Sequence, residues 1–168
     1  MINVLLSIKP VYVDEILTGR KTFEFRKSIF KKEGIAKVFI YSSSPVKKIV
    51  ASFEIARIIA NSPQKLWEKC QKYGGISEND FFDYFKNSEI GYAIEIANLK
   101  KFPEPINPYK IKKDFRPPQS YRYLPLDYFE NNYRDNKRPA DINCGTCENI
   151  RKYRILAAGQ RITWKKVW

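Results

Sequence analysis

Apolar and polar positions alternate or recur along this chain in a way that predicts a mixed set of short strands and helices. Ile2 to Ile8 is a short, partly β-branched apolar run, the pattern of a buried first strand. Pro10 suits the first turn of a helix, and Tyr12 with Ile16, and Val13 with Leu17, put apolar side chains four apart on one face. Gly19 stops that helix. Thr22 to Arg26 then reads as a strand with Phe23 and Phe25 on one face and Thr22, Glu24 and Arg26 on the other. Lys21 sits at its mouth. A basic loop from Lys27 to Gly34 leads to a strand over Ala36 to Tyr41, a hydroxyl-rich turn Ser42-Ser43-Ser44-Pro45, and a longer strand over Lys48 to Ile58.

Further along, Asn61-Ser62-Pro63 predicts a helix start, with Leu66, Trp67, Cys70 and Tyr73 at helical spacing and Gly74-Gly75 as the stop. Ser77 and Asp80 have the spacing of a capping box ahead of Phe81, Phe82 and Phe85, which read as core aromatics. Glu89 to Leu99 reads as a strand with Tyr92, Ile94 and Ile96 on one face. Pro103, Pro105 and Pro108 predict an extended connector, followed by the segment Phe115 to Leu124. In that segment Gln119 is placed to read a base edge and Tyr121 or Tyr123 to stack on one, or the whole stretch is a strap packed over the core. The acid of the long strand, Glu54, requires a partner or an exposed edge, because an unpaired buried carboxylate is costly.

The blocks Leu5-Leu6-Ser7-Ile8-Lys9-Pro10, Gly19-Arg20-Lys21-Thr22-Phe23-Glu24-Phe25-Arg26, Val38 to Pro45 and Ile49 to Glu54, in that order, resemble the ASCH domain, a member of the PUA-like superfamily. The resemblance extends over about residues 1–130, leaving 131–168 as a basic C-terminal extension. It implies an α+β fold, a small PUA-like mixed β-barrel with flanking helices, and a cleft for RNA or a modified nucleoside. It implies ligand-binding roles for Lys9, Lys21, Glu24, Arg26, Ser43 and Gln119. Arg26 and Lys21 would meet phosphate or acceptor edges, and Glu24 would accept from an exocyclic amine or hold a basic side chain. The alternative is enzymatic: some members are similar to nucleoside amidohydrolases acting on acetylated cytidine, and others to ribonucleases, with Lys21 and Glu24 as the catalytic pair. The amidohydrolase pattern uses a lysine, a threonine and a glutamate. Here Glu24 stands where the threonine hydroxyl would be, Thr22 lies two residues earlier on the same face, and only Glu54 or Glu95 offers a distal acid. A regulatory role through protein contacts is the third possibility. Glu24 and Arg26 also admit a purely structural role; as an exposed pair they would contribute only about 0–1 kcal/mol.

Composition narrows the chemistry. The 168 residues carry a formal net charge of +13, which favours a polyanionic partner such as RNA, although lysines on a solvated face produce the same number. There is no histidine, which removes Ser-His-Asp and Cys-His nucleophiles and imidazole zinc sites. Cys144 and Cys147 form a lone CxxC pair without a second pair or a histidine, so no metal site and no cofactor are expected, and Cys70 reads as a core residue. No apolar run reaches the roughly 20 residues needed to span a bilayer, and the segment from Met1 to Ile8 lacks the charged start of a signal peptide; the reading is a cytoplasmic protein without a membrane partner. Beyond residue 133 the basic residues shift to five Arg against four Lys, whereas arginines before it fall only at positions 20, 26, 57, 116 and 122.

Overall fold

The computed structural model describes residues 1–129; the expected basic extension and its CxxC pair lie outside the described residues. The order of elements is β1 (Ile2–Ile8), α1 (Pro10–Leu17), β2 (Phe23–Arg26), β3 (Ile35–Ser42), β4 (Lys48–Asn61), α2 (Pro63–Cys70) with a 3-10 turn at Gln71–Tyr73, α3 (Glu78–Phe85), β5 (Gly91–Ile106), α4 (Pro108–Ile111) and β6 (Tyr121–Leu124). The strands form one six-stranded sheet in the order β2-β5-β4-β3-β1-β6. Only β1 and β3 run parallel, with Leu5 opposite Phe39 and Leu6 opposite Ile40; the other pairs are antiparallel.

The α+β class holds, but the sheet is open and does not close into the expected barrel. The two end strands, β2 and β6, are four residues each and share no ladder. A side chain joins the two ends instead: Arg26 on β2 donates to the Ser7 carbonyl on β1 (3.1 Å) and to Ser120 Oγ just ahead of β6 (2.6 Å).

Strand pleat sorts the core onto two faces. Val4, Leu6, Ile8, Val38, Ile40 and Phe53 face α1 and bury Val13 and Ile16. Leu5, Phe39, Tyr41 and Ile49 face the opposite way, towards Phe115 and Leu124. A third cluster forms where α2 and α3 cover β2 and β5: Phe23 and Phe25 meet Leu66, Cys70, Phe81 and Phe85. The Ser77 hydroxyl accepts from the Asp80 backbone N–H (3.1 Å) and so caps α3, while it donates to the Asp80 carboxylate (2.7 Å).

Two further expectations need correction. The proline connector is strand: β5 continues through Pro103 and Pro105 to Ile106. Those prolines fall where the ladder to β4 shifts register, between the pairs Ile49–Ile106 and Ala51–Lys101, and beyond the stretch that β2 pairs, Tyr92 to Glu95. A residue without an N–H is tolerated at a bulge or an edge. The segment after Gln119 ends in strand β6, and its half-buried tyrosines make contacts within the protein. Tyr121 stacks edge-on to Phe30 at 5.7 Å, and the Tyr123 hydroxyl accepts from the backbone N–H groups of Lys31 and Lys32.

Candidate functional site

The loops at the ends of β1 and β3 meet the open edge of the sheet around a cavity of about 710 Å³. That is the size range of a small-ligand site, about 300–1,000 Å³. Its floor comes from β2 and the turn before it. Gly19, at φ +78°, reverses the chain after α1 and delivers Lys21 to the mouth of the strand. Lys21 is buried, and its Nζ donates to the Gly74 carbonyl (2.6 Å), lies 3.9 Å from Glu24 Oε2, and sits over the rings of Phe25 (4.6 Å) and Tyr12 (5.4 Å). Gly75 presses on it so closely that a Cβ there, at φ +56°, would come within 2.5 Å of Lys21 Cβ. Burial pushes the Lys21 ammonium below the usual lysine range, and the carboxylates of Glu24 and then Glu15 oppose that shift.

Glu24 faces its neighbours on both sides: Oε2 towards Lys21 and Oε1 towards Arg26 Nη1 at 3.5 Å. Side-chain exposure of the three groups is 2 % for Lys21, 7 % for Glu24 and 10 % for Arg26, so this is a buried charge triad and the estimate for an exposed pair does not apply. Arg26 spends its two terminal nitrogens on Ser7, Ser120 and Glu24, while its buried Nε has no partner among the described residues.

The far rim carries the remaining polar groups. The Ser43 backbone N–H donates to the Ile8 carbonyl (2.9 Å), tying the serine turn to the end of β1 and placing Ser43 and Ser44 at the cavity beside Lys9. Lys47 closes this turn at φ +52°, the left-handed region that a lysine adopts at a cost and that is often met at functional sites. Lys9 and Tyr12, from the start of α1, both line the cavity. The segment Pro117-Pro118-Gln119 forms another wall, pinned by Ser7 Oγ donating to the Pro118 carbonyl (2.6 Å). The Tyr41 and Tyr109 hydroxyls approach to 3.4 Å within the lining, and burial, then the contact with Tyr109, raises the Tyr41 hydroxyl well above the usual tyrosine range.

All six residues expected to bind a ligand (Lys9, Lys21, Glu24, Arg26, Ser43 and Gln119) line this one cavity. The rest of the hydrolytic pattern is elsewhere. Thr22 is not in the lining; its backbone N–H donates to Tyr73 and its carbonyl accepts from Ile96. Glu54 accepts from Asn98 and Glu95 pairs with Arg57, both outside the cavity. Lys31 and Lys32 border a separate hollow with Ile35, Ile55 and Ile58, away from the cleft. Sequence reasoning missed Tyr41, Lys47, Asp80, Asp83, Tyr84 and Tyr109. Tyr41 reads as one more apolar strand residue, and Asp80 as a helix cap. The signal for Lys47, its positive φ, is visible only in three dimensions. Among the described residues no three His, Cys, Asp or Glu side chains gather to hold a metal ion, and no helix is long and apolar enough to cross a membrane.

Comparison with known proteins bears on the family and the fold. Residues 1–113 match the family model described as Domain of unknown function (DUF365). An "ASCH domain-containing ribonuclease" of Zymomonas mobilis is 29 % identical over 126 residues, 71 % of this chain and 82 % of that protein. The ATP synthase subunit alpha of Ureaplasma parvum serovar 3 is 25 % identical over 125 residues, which are 73 % of this chain and only 15 % of that much longer protein. The crystal structure of the Zymomonas mobilis ASCH protein superposes with a TM-score of 0.71 at 26 % identity, over 79 % of this chain and 94 % of its own. A mutant form of the same protein gives the same TM-score at 25 % identity.

Proposed function

We propose, for a chain that belongs to the DUF365 family and is an ASCH domain, that the cavity binds single-stranded RNA by its backbone and one nucleotide. The observation that carries this reading is convergence. Lys9 from the end of β1, Arg26 from β2 and Lys47 from the turn after β3 reach one cavity. Such an array suits a phosphate-bearing ligand, and the net charge of +13 supplies long-range attraction for a polyanion. Lys21 and Glu24 serve here as positioning groups. Held by Gly74 and by each other, they set the guanidinium of Arg26 at the cavity floor. Residues 1–130 would be the binding domain and 131–168 a basic arm adding phosphate contacts.

Cleavage is the second reading, favoured by the name of the Zymomonas mobilis relative. In that case the Arg26, Lys9 and Lys47 cations would stabilise the charge that develops on a phosphate under attack. The amidohydrolase alternative lacks support, since Thr22, Glu54 and Glu95 lie off the cavity. The experiment is a pair of measurements on one labelled RNA: fluorescence anisotropy for binding, and a denaturing gel for cleavage. Binding by the wild type, weakened about tenfold or more by Lys47→Ala without a change in melting temperature, is the expected result. A strand cut in the RNA, but not in the same strand with a single 2′-O-methyl group at the cut, adds the ribonuclease activity. Equal binding by wild type and Lys47→Ala would refute the cavity as the RNA site.

A further inference from the structure

The cavity is chemically lopsided. The turn after β3 and the end of β1 bring Lys9, Ser43 and Lys47 to one rim. Another wall belongs to α3, which packs on β2 through Phe81 and Phe85 against Phe25, with ring centroids 4.9 and 6.4 Å apart. With Phe81 and Phe85 turned into the core, α3 offers Asp80 and Asp83 to the cavity, one helical turn apart. Arg26, 8 % exposed, also lines the cavity, and its Nε N–H is buried without a partner among the described residues. An orphaned donor of that kind in the floor of an open cavity is costly unless a ligand or water accepts from it. Both the cationic rim and the orphaned guanidinium donor therefore call for acceptor oxygens. The carboxylates of α3 call for donors.

We propose that the α3 wall is a base-selective subsite, at which Asp80 and Asp83 accept hydrogen bonds from a base bearing an exocyclic amine, so that cytosine, adenine or guanine is taken and uracil, which has none, is refused. This rests on the RNA-binding reading and extends it. A nucleotide has one anionic end and one end that differs from base to base. With its phosphate held between Lys9, Lys47 and Arg26, the base is directed to α3. Cytosine N4 and adenine N6 are amine donors, and a carboxylate accepting from cytosine N4 is an established pairing. Uracil presents carbonyl oxygens on either side of its single N–H, and these face carboxylates unfavourably. Glu24, the acid first suited to this role by sequence, is occupied by Lys21 and Arg26, which leaves base reading to the helix. Asp80 spends one oxygen on Ser77, whereas the Asp83 carboxylate has no hydrogen-bond or ion-pair partner among the described residues. The field of Asp80 does extend into the cavity: after burial, it is the largest influence raising the Tyr12 hydroxyl. Ile76 and Tyr84, also in the lining, provide apolar surface beside the carboxylates for a base to pack on.

The test uses fluorescein-labelled rC10, rA10 and rU10 with the full chain, read by anisotropy at one fixed salt concentration. Wild type is expected to bind rC10 and rA10 about tenfold more tightly than rU10, the lower end of discrimination by a good base contact. Asp83→Asn lies outside the Ser77 cap, so it leaves the helix start intact. It should bring the three affinities within about twofold of one another, chiefly by tightening rU10, and Asp80→Asn with Asp83→Asn should abolish the preference. Lys47→Ala should weaken all three alike and keep their order. Wild-type affinities within twofold of each other, or a preference that survives both aspartate changes, would overturn the subsite while leaving RNA binding intact. Failure of all three oligomers to bind would overturn the RNA reading itself.

Discussion

Replacing Glu24 by Gln keeps the shape of the side chain and removes its charge, and the structure sets the cost. Lys21 is 2 % and Arg26 10 % exposed at the side chain, and Glu24 is the acid that faces both, at 3.9 and 3.5 Å. The substitution leaves two buried cations side by side. Lys21 retains only the Gly74 carbonyl as a close polar acceptor, and Arg26 retains Ser7 and Ser120. Breaking a buried ion pair by removing one partner costs about 3–5 kcal/mol. That is a large share of the roughly 5–15 kcal/mol that holds a domain folded, and far above the ~0–1 kcal/mol of an exposed pair. The assay is urea unfolding followed by circular dichroism for wild type, Glu24→Gln, Lys21→Met and the double variant. Because the two groups face each other in one network, the double variant should be less destabilised than the sum of the singles, with a coupling of about 1–3 kcal/mol. A Glu24→Gln cost below about 1 kcal/mol, together with additive singles, would refute the triad as a coupled buried unit.

Three other outcomes follow from the same structure. Phe25→Ala removes a buried ring that packs edge-on against Phe81 and Phe85, and should cost about 3–5 kcal/mol in the same unfolding assay, with Phe25→Leu costing distinctly less. The lowered pKa of Lys21 means that the folded state sheds this proton at lower pH than the unfolded chain does. Stability should therefore rise with pH between the depressed folded value and the ordinary 10.5, an increment that thermal melts against a Lys21→Met background would isolate. The raised hydroxyls of Tyr12, Tyr41 and Tyr84 act in the opposite sense, but only above their unfolded value near 10.0. Truncation after Tyr133 should leave a cooperative melt with a nearly unshifted midpoint, because three apolar clusters assemble from residues up to Phe129; aggregation of the truncated chain would show that the tail completes the core.

The strand period carried much of this in advance. Alternation over Phe23 to Arg26 separates the aromatics that meet Phe81 from the charges that face the cavity, and the ends of β1 and β3 place Lys9 and Ser43 on the same rim. Burial of the triad was not legible, because exposure depends on what covers β2, and that cover is α2, α3 and the Gly74-Gly75 turn, all far along the chain, with 53 positions between Lys21 and Gly74. Barrel closure failed as an expectation because it turns on the length and pairing of end strands, and β6 hides in a segment whose prolines and aromatics read as a strap. Lys47 and Asp83 look like solvated charges on paper; only the turn after β3 and the packing of α3 aim them at one cavity.

The central claim is that cations from separate elements make this cavity an RNA site. Its most direct test is the salt dependence of binding to a labelled single-stranded RNA, for wild type and for the Lys9→Ala, Lys47→Ala double variant. With two phosphate contacts removed, the slope of log affinity against log salt should become shallower by about 1.4, at roughly 0.7 per contact on single strands, and affinity at low salt should drop. A double variant with the wild-type slope and affinity would contradict the account, since it would place the RNA somewhere other than between Lys9, Arg26 and Lys47.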